Sequence, residues 1–404
     1  MALFSNTTGA YNAAAGAFSL YSNTTGERNT ASGYESLKLN TTGTRNTASG
    51  FIALRDNTTG GSNAAVGDSA LMSNTTGTYN TATGRESLHL NTTGSHNTAS
   101  GQDALRSNTT ADYNTAVGRS ALNDNTTGAY NAAIGAYTLN ANTTANYNTG
   151  MGQGALQANT TGAENTATGG QAMALNTTGY NNTATGRSAL YTNTTGAENT
   201  ACGRKALFAN TTGVHNVAVG SDALLNNTTG YYLTACGYGA LYNNTTANFN
   251  TAVGILALYT NTTGASNTAV GYNALNKNTT GLHNTASGQE ALHENTTGEK
   301  NTAYGTYAGN IITTGSYNTC LGYNAQSSSA TAGGEFILGN SNVSTLRCNT
   351  STISSLSDAR DKTEVEPSPL GIDFLNKLNP VKFKWDTREG NSKDGTHEIG
   401  FIAQ

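Results

Sequence analysis

The triplet Asn-Thr-Thr begins at Asn6 and returns every 17 residues as far as Asn295, with no insertion or deletion. A nineteenth unit starts at Ile312, where Thr313, Thr314 and Gly315 keep the register. Counting the first residue of each unit as position 0, the consensus reads N-T-T-G-x-x-N-T-A-x-G-x-x-A-L-x-x. Position 6 is Asn in 18 of 19 units, Leu233 being the exception, and position 10 is Gly in all of them. Position 14 is Leu except at Met173, Gly309 and Gln326, and position 8 departs from Ala at Gly150 and Cys320. An unbroken period means that every unit meets its neighbour in the same way, so the repeat decides the architecture before anything else does. Seventeen residues are too few for a helix pair, which takes ~33–47. The Gly and β-branched content also opposes helix. Collagen would need Gly at every third residue. The remaining fit is an all-β chain: a parallel β-solenoid or β-roll of 17-residue coils, each with two short strands and two turns.

The first turn is N-T-T-G, where Gly is expected to supply a positive φ. The turn loosens to N-T-T-A at Ala111, Ala145 and Ala247. In the strand that follows, positions 6, 8 and 10 share one face because strand side chains alternate. That fixed Asn-Ala-Gly face is expected inside. Positions 7 and 9, which vary, are expected outside, and the Leu at position 14 forms the second wall. Such a core is thin, although Asn stacked on Asn every ~4.8 Å can form side-chain ladders. Association along the length is the natural remedy. The prediction is a homotrimeric rod roughly 90 Å long.

Composition narrows the function. Only 36% of residues are apolar, against roughly 45–50% in ordinary domains. Twenty basic residues against 24 acidic ones leave no nucleic-acid footprint. No apolar run approaches the ~18 residues of a membrane span. The N-terminus, MALFSNTTGA, does not read as a secretory signal. No Cys/His group has zinc-like spacing, and neither a cofactor nor a metal is expected. Cys202 and Cys236 share position 9 two coils apart, too far for a disulfide. His96, His215 and His283 share position 5 and are expected to be exposed. The eighteen N-T-T triplets are all N-glycosylation sequons, read here as structural turns. A row of Tyr at position 5 (Tyr11, Tyr79, Tyr113, Tyr130, Tyr147, Tyr317) is read as packing between coils rather than as a glycan platform.

The units N-T-A-V-G at Asn114–Gly118 and Asn267–Gly271 resemble the head repeats of trimeric autotransporter adhesins. That resemblance implies a left-handed parallel β-roll and covers about four-fifths of the chain. The chain is divided into a solenoid over 1–326, a linker and β-stalk over 327–356, and a different domain over 357–404. The middle segment is read as a small-residue linker, Ser327–Gly334, followed by an off-register strand pattern.

The last segment holds all three Pro and the only Trp, Trp385. Pro369–Leu378 reads as an amphipathic helix and Val381–Asp386 as a strand. The motifs S-D-A-R-D-K (Ser357–Lys362), L-N-K-L-N-P-V-K-F-K-W (Leu375–Trp385) and G-F-I-A-Q (Gly400–Gln404) resemble the intramolecular chaperone domain of endosialidase-type phage fibres and tailspikes. Such domains are about twice as long, so this one is expected to be truncated. The resemblance implies self-cleavage of the Leu356–Ser357 bond by a dyad of Ser357 and Lys362. It also implies a trimeric tail fibre or surface fibre that meets a host receptor, with a glycan as one receptor class, on a virion or at a cell surface. Two alternatives are an ice-binding or glycan-binding solenoid and a tailspike glycan depolymerase.

Overall fold

The structure is a computed structural model. It describes residues 1–345, residue 347, and two short strands at 381–383 and 398–400. Each of the nineteen repeats contributes one three-residue strand at positions 7–9, from β1 (Ala13–Ala15) to β19 (Thr319–Leu321). Successive strands pair in parallel and in register, as in Thr115↔Ala132 and Ala116↔Ala133. The body is therefore an all-β parallel solenoid with one continuous sheet along its length, as the repeat predicts. No helix occurs among the described residues.

The expected second strand of each coil is not there. Its place is taken by a turn in which positions 12 and 14 adopt positive φ, as at Glu35 (53°) and Leu37 (51°). Inter-coil hydrogen bonds persist through this turn, but their direction alternates. Glu35 N–H donates back to Ala17 O (2.9 Å), whereas Leu37 N–H donates forward to Ala53 O (3.1 Å). The ladder thus survives without extended backbone.

The first turn also differs from expectation. Gly at position 3 does not take positive φ; position 5 does, with Tyr, Arg, His or Glu in place, as at Tyr113 (59°) and Arg28 (57°). Gly is needed at position 3 for space. A Cβ on Gly60 would lie 2.4 Å from Asn57 Oδ1 and 2.4 Å from Gly77 O of the next coil. At position 10 both reasons combine: Gly118 has φ +129° and a Cβ there would meet Gly135 carbon and oxygen at 2.6 Å.

The core follows the predicted columns at positions 6, 8 and 14, adds positions 0, 3 and 13, and leaves the position-10 glycines, expected inside, only half-buried at the corner of the coil. Positions 0, 3, 6, 8, 13 and 14 are buried, as in Asn57, Gly60, Asn63, Ala65, Ala70 and Leu71, while positions 7 and 9 are not. Burial of one Leu contributes roughly 1.5–3 kcal/mol. Against that stand three left-handed non-glycine residues per coil, each costing about 1 kcal/mol or more. A lone coil is not a stable object. Stacking makes up the difference through two asparagine columns.

In the first column, Asn40 Nδ2 donates to Asn23 Oδ1 (2.8 Å) and to Gly43 O of its own turn (3.0 Å). The same pair of bonds recurs to Asn295. There Ile312 ends the column and Asn295 Oδ1 is left buried without a partner. In the second column, Asn63 N–H donates to Asn46 Oδ1 (2.9 Å), and Asn63 Nδ2 donates to Gly77 O of the next coil (2.8 Å). Leu233 keeps the backbone bond to Asn216 Oδ1 (3.0 Å) and fills the vacated space with an apolar side chain.

Both ends extend the period beyond the recognisable repeats. Leu3 occupies the Leu column with φ 52°, and Phe4 stacks on Tyr21 at 5.1 Å. At the other end, the strand read as off-register is in register: β20 (Phe336–Leu338) pairs with β19 as Thr319↔Phe336. Glu335 N–H takes the place of the position-6 amide on Asn318 Oδ1 (3.0 Å). In the C-terminal segment, β21 (Val381–Phe383) and β22 (Glu398–Gly400) form an antiparallel pair, Val381↔Gly400. The expected helix at Pro369–Leu378 lies outside the described residues, as does Cys348.

Candidate functional site

Leu356, Ser357 and Lys362, the residues of the anticipated scissile bond and dyad, lie outside the described residues. The described chemistry belongs to the shaft, where three kinds of column reach the surface.

The threonines come first. Thr at position 1 donates its hydroxyl to the carbonyl of the next coil's Thr, as Thr92 Oγ1 to Thr109 O (3.0 Å). This row is thereby committed to holding the turns together. Regular hydroxyls for ordered water are left at positions 2 and 7 alone. The sequon asparagines from Asn23 to Asn295 are buried, and each side-chain nitrogen already donates twice. In the folded coil that nitrogen is closed to glycosyl transfer.

Aromatic columns form at position 5. Tyr79, His96, Tyr113, Tyr130 and Tyr147 stack continuously, with centroids 4.9–5.1 Å apart and planes within 11°. His215, Tyr232 and Phe249 form a second stack. The rings cover one another's faces and show their edges to solvent. A sugar ring stacks on an aromatic face, so this column acts as packing between coils. His215 also pairs with Glu198 (2.9 Å).

Charged groups lie beyond the strand. Arg187, Ser188, Arg204 and Lys205, from two adjacent coils, line a cleft of about 190 Å³. Arg204 pairs with Asp222 (2.7 Å), and the Lys205 ammonium lies 5.4 Å from the Phe208 ring centre. Three cations around one such space can hold an oxyanion. Elsewhere the carboxylates serve structure. Glu86 is held below its ordinary pKa by its hydrogen bond to Arg106, Glu35 by Lys38 and Glu294 by Lys277. A glycosidase acid needs the opposite shift. Among the described residues every carboxylate that departs from its ordinary value departs downward.

Cys202 and Cys236 are exposed on the strand face, whereas Cys320 is buried in the Ala column with its thiol pushed up to about 11 by desolvation. No group of three or more His, Cys, Asp or Glu suited to a metal ion occurs among the described residues. Nor is any helix among them long and apolar enough to cross a membrane.

Residues 357–404 match the family Peptidase_S74, described as chaperone of endosialidase. The match begins at Ser357, the residue that the sequence motifs marked as the start of that domain. No curated protein and no solved structure matches the chain. A β-solenoid body ahead of a segment that matches the endosialidase chaperone family is consistent with a protein of the tail fibre or tailspike kind.

Proposed function

We propose that this chain is the shaft of a homotrimeric fibre for attachment to a host or other surface, trimerised and matured by its C-terminal domain through self-cleavage. The observation that carries the reading is the match at 357–404 on the same chain as, and C-terminal to, an unbroken solenoid. In the proposed step, Ser357 Oγ attacks the Leu356 carbonyl carbon while the neutral Lys362 amine takes the hydroxyl proton. The C–N bond breaks as that proton passes to the Ser357 nitrogen, giving an ester. Water then hydrolyses the ester to a Leu356 carboxylate and a free Ser357. Burial that lowers the Lys362 pKa would supply the neutral amine. Within the same reading, the Arg187–Arg204–Lys205 cleft is the feature of the shaft suited to an anionic group on a receptor.

The test is the denatured intact mass of protein expressed from its full reading frame, beside a Ser357→Ala variant. A product ending at Leu356 in the parent and absent from the variant is the expected result. A cut that persists in Ser357→Ala removes the dyad. A single uncut mass in both removes the self-cleavage and leaves the shaft.

A further inference from the structure

Positions 7 and 9 are the outward residues of every strand, and in none of the nineteen coils is either of them buried. Neither column contains a single Asp, Glu, Lys, Arg, Asn or Gln. Position 7 is Thr, Ala or Val throughout, and position 9 is mostly small or apolar. All Asp, Glu, Lys and Arg of the repeats fall instead at positions 4, 5, 11, 12, 15 and 16. Stacking does not require this separation. The columns at 11 and 12 are stacked at the same spacing and carry both signs.

The uncharged face also leaves apolar side chains in water. Val117 is 38% exposed, and Ile134 and Met151 are each 44% exposed in successive coils. Val219, Val253 and Val270 repeat the pattern beside Cys202 and Cys236. The face continues past the last repeat, where Phe336 and Leu338 of β20 are exposed in the same two columns.

We infer that this strand face is the surface through which copies of the chain pack side by side, parallel and at equal height. The inference rests on the trimeric-fibre reading and adds where the copies meet. Only an object as long as the rod covers a face as long as the rod, and a second copy brings the same uncharged surface. Association then buries no unpaired charge, whose desolvation would oppose it. The size fits. A face roughly 90 Å long and one sheet wide, about 10 Å, offers on the order of 900 Å² per chain. In a trimer that area is divided between two neighbours, and its total per chain is comparable with the ~800 Å² that each partner gives to a stable interface.

The experiment compares three proteins by light scattering: the parent, a face variant (Val117→Glu, Met151→Glu, Val253→Glu), and a control with the same charges at position 11 (Ala136→Glu, Gln153→Glu, Ile255→Glu). A parallel measurement needs no new charge. In a Cys236→Ser, Cys348→Ser background, Cys202 thiols of neighbouring copies would be joined by a short bis-maleimide. The expected result is a trimer for parent and control, a mass one-third as large for the face variant, and covalent Cys202–Cys202 products. A face variant that stays trimeric, with no Cys202 products, overturns the face while the trimer stands. A parent that is itself monomeric overturns both the face and the trimeric reading.

Discussion

On the strand side of each coil, the outward residues are Thr, Ala, Val, Ser and Ile on extended backbone, with Ala behind them. On the turn side, the outward residues are Arg, Glu, Lys, Tyr and Asp, two of every five backbone positions are left-handed, and Leu lies behind them. Both sides stack through in-register hydrogen bonds between coils, so stacking does not set their difference. Backbone conformation fixes where a side chain points. Alternation gives the strand side two clean columns, whereas on the turn side the outward positions carry long side chains whose charges and ring edges meet water, and the left-handed Leu at position 14 points inward. The sheet side is thereby left flat and bare, and the turn side solvated.

The corner that joins the two sides is the place to break this arrangement. In Gly118→Val, the side chain would run into the Gly135 backbone at a φ open only to glycine. We expect a loss well above ~3 kcal/mol and a thermal unfolding that splits into two transitions. Next comes the interior. Asn159→Ala removes bonds to Asn142 Oδ1 (3.1 Å) and Gly162 O (2.9 Å) and strips Asn176 Nδ2 of its acceptor (2.7 Å). Asn142 Oδ1 is left unpaired, while Gly162 O keeps the bond from Asn148 Nδ2 (2.9 Å) and Asn176 Nδ2 its bond to Gly179 O (2.9 Å), so a cost of ~2–3 kcal/mol is expected by denaturant unfolding. On the turn side, Tyr113→Ala interrupts a stack of five rings and should cost about 1–2 kcal/mol. Ile52→Asn should act in the opposite direction. Ile52 has φ 48°, which a β-branched residue tolerates poorly and Asn accepts, so a gain of up to about 1 kcal/mol is expected.

The smallest effects concern titration. Arg106 lowers the Glu86 pKa, so this pair stabilises the fold above the ordinary carboxylate value and loses its contribution as pH falls through the lowered one. Arg106→Gln should remove only a few tenths of a kcal/mol, seen as a shallower fall of Tm between pH 5 and about 3. Cys320 has the reverse sign. Its thiol is raised to about 11, so its contribution is intact below the ordinary thiol value and lost as pH rises towards 11. In the face variant carrying Cys348→Ser, where no neighbouring copy covers the strand face, Cys202 and Cys236 should react with a thiol reagent at pH 8 at least tenfold faster than Cys320. Equal rates would contradict the burial assigned to Cys320.

The columns were legible because each is a single letter repeated at one offset: Asn at 0 and 6, Ala at 8, Gly at 10, Leu at 14. The turn side was not legible, since most left-handed residues at positions 12 and 14 are Leu, Glu, Tyr and Ser, and the Gly or Asn that would betray them occur there only at Gly154, Gly239, Asn273, Gly309 and Asn324. The N-T-T-G glycine misled for the mirror reason: it marks a lack of space, not a positive φ. The register of β20 escaped notice because Ser329, Ala330 and Glu335 stand where the repeat has Asn, Thr and Asn. Gly339 nevertheless falls 17 residues after Gly322. The dyad came from motif resemblance alone, and nothing in the shaft's periodicity could have pointed to Ser357 or Lys362.

The unbroken register has a genetic consequence. Each coil bonds only to the coils on either side, and every column closes whatever the number of coils. Adding or removing one whole repeat therefore changes the reach of the rod by about 4.8 Å and leaves every other contact as it was. Losing a single residue shifts Asn, Ala, Gly and Leu out of their columns at once. Near-identical repeats also favour unequal recombination in whole units. The length of this shaft is thus a quantity that inheritance can adjust in equal steps, at little cost to stability.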